Sequence, residues 1–294
     1  MIRGGAVYRL QIWLLFLAPL LALGVLYALG VSIPVPYLGR GYVIRIALPD
    51  PGARMALPSI SGPLDPTRPL VVIDAGHGGH DPGAIGGDYR EKAITLQLAR
   101  ALRDELVRGG GVRVALTRGD DRFLVLGERA EIARALGADL FLSIHADSAG
   151  EQEGVSGASV YTLSDMASTQ AAARFAAREN SADSVNGVSV AQQKGSVTAI
   201  LVELSQRRAQ EQSAQFAGLI LREGQGALAF HDVPLRSAAL AVLRAPDVPS
   251  ALFEAGFITN ADDAGRLASA DGQARYARVL AQAIRVYFAR QAGT

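Results

Sequence analysis

Residues 71–87, VVIDAGHGGHDPGAIGG, decide how the rest of the chain is read. Val71 to Asp74 form a short apolar run of the kind buried in a sheet. The glycine-dense loop after it carries His77, His80 and Asp81. Glycine lets a backbone turn sharply after a strand and lets another group approach it closely. A histidine in that place sits at the strand's C-terminal end, where α/β sheets carry their ligand chemistry. Taken alone, the stretch fits a phosphate loop, a metal loop or an ordinary turn.

The sequence around the loop alternates between strand and helix. Glu91 to Val107 places Ile94, Leu98, Ala101, Leu102 and Leu106 at helical spacing, and Gly109 to Gly111 stop it. Val112–Leu116 reads as a strand, Leu126–Leu136 as a helix, and Leu140–Ile144 as a buried strand that ends on His145. Gly157–Leu163 is a further strand. Ala167–Asn180 and Val197–Leu221 are amphipathic helical stretches with a polar segment between them, and residues 165–215 together form a helical excursion. A strand is expected within Leu235–Leu243. Ala251–Phe253 is a buried strand ending on Glu254, and Leu280–Phe288 is a closing helix. This order predicts an α/β fold, a single domain with a mixed, largely parallel sheet flanked by helices.

The remainder of the chain bounds the setting. Its 294 residues are 49% hydrophobic and 19% charged with net charge +1, which supports one good-sized core and argues against broad binding to nucleic acid. Cysteine is absent, which excludes thiolate zinc ligands, a cysteine nucleophile and disulfides. Arg3 and Arg9 precede a stretch without charge that runs to Arg40, and residues 10–31 are almost wholly apolar. Such a run spans a bilayer as an anchor or serves as a signal peptide cleaved near Ala28-Leu29-Gly30, and either one exports the rest of the chain. Residues 1–33 are therefore read as signal peptide or membrane anchor, and 70–294 as the catalytic domain. Residues 34–69 are read as a proline-rich linker, because eight of the thirteen prolines fall between Ile33 and Pro69. Tyr42–Ala47 is the one strand-like run within it.

Two strands thus deliver a histidine just past their ends, His77 and His145, and Glu91 opens the helix after the first loop. Two imidazoles and a carboxylate make a common catalytic zinc set that leaves a fourth position for water. Each residue also has a plainer reading: a turn histidine, a helix N-terminal glutamate, a core histidine. Glu254 occupies a strand end like those of the histidines. The phosphate-loop reading fails, since no GKS/T ending closes the loop.

IDAGHGGHDPGAIG, REKAITLQLA, LTRGDDRF, LFLSIHAD, GASVYTLS and ALFEAGFITN, in this order, resemble the zinc-dependent N-acetylmuramoyl-L-alanine amidases of the cell-wall hydrolase type. The resemblance covers the chain from about Leu70 onward. It implies Zn2+ held by His77, Glu91 and His145, Glu254 as the catalytic carboxylate, and peptidoglycan as substrate. Asp74 and Asp147 are candidates to orient the ligands, strand-end hydrogen bonding being an equal account. ARENSADSVNG with ILVELSQ is similar to the division-associated periplasmic members, in which a helix covers the metal until an activator protein displaces it. By position Glu179 is the blocking residue. The resemblance further implies a periplasmic monomer acting in septal wall splitting, tethered to the inner membrane through residues 10–31 if these are uncleaved. A zinc peptidase cutting the peptide stem, or a non-catalytic wall-binding division protein, are the competing readings. Ala75 stands where the family usually has proline. His80 is read as a loop residue, and the loop glycines as clearing space for a glycan-peptide.

Overall fold

The computed structural model describes residues 57–150, 154–185, 188–189, 199–245 and 247–293, with residues 13, 17 and 18 helical. In chain order the elements begin with β1 (Ile60–Ser61), β2 (Leu70–Ala75), β3 (Ile85–Gly86), β4 (Tyr89–Arg90), α1 (Glu91–Gly109) and β5 (Arg113–Leu116). Next come α2 (Leu126–Ala135), β6 (Leu140–Asp147), β7 (Ala158–Leu163), α3 (Gln170–Asn180), β8 (Ser184–Val185) and β9 (Val188–Ser189). The chain closes with α4 (Ala199–Gly224), β10 (Phe230–Ala238), β11 (Ser250–Phe257), α5 (Ala261–Ala268) and α6 (Ala270–Gln291).

Seven strands form one sheet in the order β1-β5-β2-β6-β11-β7-β10. β5, β2, β6 and β11 are parallel, β7 runs antiparallel to β11, and β10 is parallel to β7. The expected mixed, largely parallel sheet is therefore present. β2 is buried along its whole length, which its uninterrupted apolar run requires of a central strand covered on both faces.

Side chains alternate between the faces. Val71, Ile73, Leu142, Ile144 and Phe253 enter a core closed by α1, α4 and α6. Val72, Phe141, Leu252 and Tyr161 point the other way, into a core closed by α2 and α3. Period two then puts Asp74, Ser143, His145 and Glu254 on the α2/α3 face, at the C-terminal ends of their strands.

Three stretches read from the sequence take a different form in the structure. The strand expected in Leu235–Leu243 runs instead over Phe230–Ala238, with its register shifted between Phe230 and Leu235. Pro234, which has no N–H for a ladder, lies inside that shift. Residues 60–61, within the expected linker, form an edge strand antiparallel to β5. The expected excursion over 165–215 divides: α3 lies on the sheet face, whereas α4 is a core helix with Phe216 and Ile220 fully buried.

By compactness the chain forms two units, Met1–Arg54 and Met55–Thr294, and the sheet lies in the second. No described helix is long and apolar enough to cross a membrane. The expected span over 10–31 and the strand at Tyr42–Ala47 lie almost wholly outside the described residues.

Candidate metal and catalytic site

The loop after β2 is held from beneath by two arginines. Arg118 donates to the carbonyls of Ala75 and Gly76, and Arg129 to those of Ala75 and His77, at 2.8–3.0 Å. Both are buried, and burial, followed by the Arg129 charge, brings the Arg118 guanidinium down to about 10. Arg129 is balanced by Asp74 at 2.9 Å, and Asp74 also accepts from Thr117 and Ser143. His77 takes φ 60, and no other described non-glycine residue has positive φ. Strain of about 1–3 kcal/mol persists only where surroundings over-determine it, and here the carbonyl clamps supply that.

His77 Nδ1 lies 2.7 Å from Asp81 Oδ2, which fixes the tautomer and leaves the Nε2 lone pair facing the site. Glu91 accepts from the backbone N–H of Ala84 through Oε2 and of Ala146 through Oε1. The Glu91 N–H returns a bond to the Ala84 carbonyl, so the loop and the start of α1 are locked together. The β3–β4 hairpin that makes this approach possible has no counterpart in the elements expected from the sequence. Glu91 Oε1 is 3.1 Å from His77 Nε2 and 3.0 Å from His145 Nδ1.

A fourth side chain enters from above. Glu179, near the end of α3, brings Oε2 to 3.5 Å from His77 Nε2 and 3.3 Å from His145 Nδ1. His77, His145 and Glu179 form a buried group whose ligand atoms lie within 4.8 Å of one another. Glu91 Oε1 stands at least as close to both imidazoles, so four donors converge, from β2's loop, α1, β6 and α3. Glu91, pinned by two backbone donors on a core helix, is the preorganised carboxylate of the two.

These residues fit a metal ion. His77 Nε2 is buried without a hydrogen-bond partner despite its approach to Glu91, the geometry of lone pairs converging on a common point. Burial would lower the His77 imidazole, yet Glu91, Asp81 and Glu179 outweigh it and hold it well above its usual value. Asp81, Glu91 and Glu179 each bring a carboxyl oxygen within 3.5 Å of the His77 ring, a gathering of oxygen and nitrogen donors that suits a cation. Two imidazole nitrogens and a carboxylate oxygen are donors that suit zinc.

Glu254 is registered beside His145 on β11, and both of its carboxyl oxygens are buried without a partner. Burial, then the charges of Asp147, Glu91 and Glu179, pushes its carboxyl well above the usual range. Ser159 on β7 sits opposite Glu254 in the ladder, with its hydroxyl also unpartnered. Sequence reasoning gives no role to Ser159, Arg118 or Arg129. The first looks like any strand residue, and the other two lie in or beside a motif without a pattern that marks them.

Other candidates resolve differently. Asp74 touches no imidazole; it serves the arginine clamp. Asp147 pairs with Arg178 of α3 rather than with a ligand histidine, and burial brings its carboxyl up to about 7. His80 stacks on Phe123 with ring centroids 4.2 Å apart. Two of the loop glycines leave room for the candidate ligands. A Cβ on Gly76 would fall 2.5 Å from the His145 ring, and one on Gly83 2.6 Å from both Glu91 Oε2 and His77 Cδ2.

A three-layer α/β fold with two histidines at its strand ends, a glutamate at a helix start, and a second buried, unpartnered carboxyl beside them is an arrangement of the hydrolase class with donors that suit a metal ion. The sequence profile of the Amidase_3 family, N-acetylmuramoyl-L-alanine amidase, matches residues 71–286, and the chain belongs to that family. It is 37% identical over 221 residues to the N-acetylmuramoyl-L-alanine amidase AmiA of Escherichia coli K12, covering 74% of this chain and 76% of that protein. It is 36% identical over 225 residues to AmiC of Escherichia coli O6:H1, covering 76% of this chain and 54% of AmiC, so it spans about half of that relative's length. Among solved structures it resembles the catalytic domain of CwlV from Bacillus (Paenibacillus) polymyxa, with a TM-score of 0.56 at 27% identity over 75% of this chain and 98% of that one. AmiC2 of Nostoc punctiforme gives 0.53 at 30%, over 75% and 97%.

Proposed function

We propose that residues 70–294 form a catalytic domain that hydrolyses the amide between N-acetylmuramic acid and L-alanine in peptidoglycan. Residues 34–69 would link it to an N-terminal segment, 1–33, that directs export to the periplasm. The observation that carries this reading is the convergence of His77 Nε2, His145 Nδ1 and Glu91 Oε1 beside the unpartnered carboxyl of Glu254. His77, Glu91 and His145 would hold zinc. Bound there, zinc supplies Lewis-acid polarisation of the amide carbonyl and lowers the pKa of a water to about 7. Glu254 takes the proton of the attacking water and returns it to the departing L-alanine nitrogen. Asp81 keeps His77 in the tautomer that presents Nε2, and the Ala84 and Ala146 N–H groups aim Glu91.

Glu179 stands where substrate has to approach, which supports α3 as an autoinhibitory element displaced by an activator protein during septal wall splitting. α3 is fastened at several points. Thr169 caps it, Phe175 packs on Tyr161, Arg178 pairs with Asp147, and Asn180 bonds both Ala239 and Ala241. Inhibition is best tested by Glu179→Ala, because excising 165–215 would cut into α4 and remove Ser213, whose hydroxyl holds the Ser250 N–H of β11.

The test is digestion of purified peptidoglycan by the zinc-loaded full chain, with product analysis. Intact stem peptides are expected, with activity raised by Glu179→Ala and lowered about 100- to 10,000-fold by Glu254→Gln while zinc stays bound. Release of stem fragments would make the protein a peptidase instead. Full activity in Glu254→Gln would remove the assignment of that residue.

A further inference from the structure

Across the sheet, the site has a direction. The ligands come from the ends of β2 and β6, and Glu254 follows on β11. β7 and β10 lie beyond it and carry Tyr161 and Arg236. Tyr161 is paired with Leu252 in the ladder and shares the face of Glu254. A cleft of about 380 Å³ begins there, lined among others by Tyr161, Arg174, Arg178, His231, Arg236 and Phe257. A second cleft of about 360 Å³ has His77, His80 and Pro82 in its wall and meets the first at Ser148 and Arg178.

The first cleft is basic. Arg178 is balanced by Asp147, but among the described residues Arg236 donates only to neutral acceptors: the Val233 carbonyl, the Tyr161 hydroxyl and the His231 ring. Arg174 is exposed on α3 and has no ion pair among the described residues. An arginine fixed by neutral partners and left without a counter-charge is prepared for a carboxylate.

Resting on the amidase reading, we propose that this groove is the subsite for the peptide stem, with Arg236 receiving a free carboxylate of its second or third residue. Glu254 delivers its proton to the leaving nitrogen, so the peptide attached to that nitrogen lies on the Glu254 side of the ligands, where the groove is. Two strand spacings separate β11 from β10, roughly 10 Å, which is about three residues of extended peptide at ~3.4 Å each. The stem carries carboxylates at that range. Arg174 and Arg178 belong to α3 and leave with it, whereas Arg236 stands on the sheet and stays.

The experiment titrates zinc-loaded full chain carrying Glu179→Ala with the free tripeptide L-Ala-γ-D-Glu-meso-diaminopimelate and with its carboxyl-amidated form, by calorimetry. The acidic peptide is expected to bind at least tenfold more tightly than the amidated one. Arg236→Gln removes that preference, and Arg236→Lys keeps part of it. Equal affinity for the two peptides, no measurable binding, or an unchanged preference in a folded Arg236→Gln protein would overturn the subsite. A chain that shows the preference but cleaves no muramoyl amide would overturn the amidase reading and leave the anion-binding groove standing.

Discussion

Gly83 shows how tightly single residues set this site. It has φ +65, and a Cβ would sit 2.6 Å from Glu91 Oε2 and 2.7 Å from Glu91 Cβ, so both the backbone and the space demand glycine. Gly83→Ala is expected to weaken zinc binding at least tenfold, read by competition with a chelator. Gly87 is the control, since at φ +56 it shares the backbone penalty but has nothing within 4 Å. Equal losses in the two variants would show that the collision with Glu91 and His77 is not what matters. Asp74 sets a pH dependence of stability. Burial raises its carboxyl, but Arg129 and the hydroxyls of Thr117 and Ser143 overcome that and hold it below the usual value. A carboxyl lowered on folding contributes its full stability above the unfolded value, about 3.9, and loses it as pH falls through the folded value. Asp74→Asn leaves Arg129 buried without its partner and should cost about 3–5 kcal/mol at neutral pH. In urea titrations that gap should close as pH falls from about 4 towards 2; a gap independent of pH would show that the ionised form of Asp74 is not the source.

At the scale of elements, the proposed autoinhibition rests on α3. Its cap is Thr169, whose hydroxyl accepts the Ala172 N–H at 3.0 Å. Losing such a cap costs about 1 kcal/mol, a factor of about five in an equilibrium. If α3 alternates between docked and displaced states, Thr169→Ala should raise basal wall-digesting activity about fivefold while the main unfolding transition stays in place. Unchanged activity with α3 demonstrably loosened by hydrogen exchange would separate docking from inhibition. The elements also show what the sequence could reveal. Helices α1 and α6 are legible because each buries a face with a clean period, and strands β2, β6 and β11 because each is a short, largely apolar run buried along its whole length. β3–β4 is not, since two residues per strand carry no period. The division between α3 and α4 is hidden for another reason: both are amphipathic stretches containing several alanines, and only packing distinguishes a helix on the sheet face from one in the core. In the site, His77, Glu91, His145 and Glu254 are legible as strand and helix ends. The arginine clamp is not, because nothing in an isolated LTRGD or GERA says which carbonyls a guanidinium will meet.

At the scale of the whole molecule, a bound ion would couple to the fold. The site gathers Glu91, Glu179, Asp81, Asp147 and Glu254 in buried or half-buried positions at the ends of the central strands. At Glu254, burial and then the charges of Asp147, Glu91 and Glu179 hold the carboxyl above its usual range, and a cation bound beside it would relieve that repulsion. A metal that binds only the native chain adds RT ln(1 + [L]/Kd), about 2.7 kcal/mol when free metal exceeds Kd a hundredfold. The proposed ligands come from the β2 loop, α1 and β6, which are far apart in sequence, so this stabilisation would be felt by the whole sheet rather than by one loop. Zinc added to the metal-free full chain is therefore expected to raise the unfolding temperature by several degrees in a single transition, and a chelator to reverse it. Magnesium, which prefers six oxygen ligands, should have little effect. His77→Ala should abolish the zinc shift, while Glu179→Ala should keep most of it, because Glu91 and the two imidazoles remain. A zinc shift lost equally in both variants would make Glu179 a full ligand of the resting site, and the α3 helix part of the metal centre rather than a cover over it.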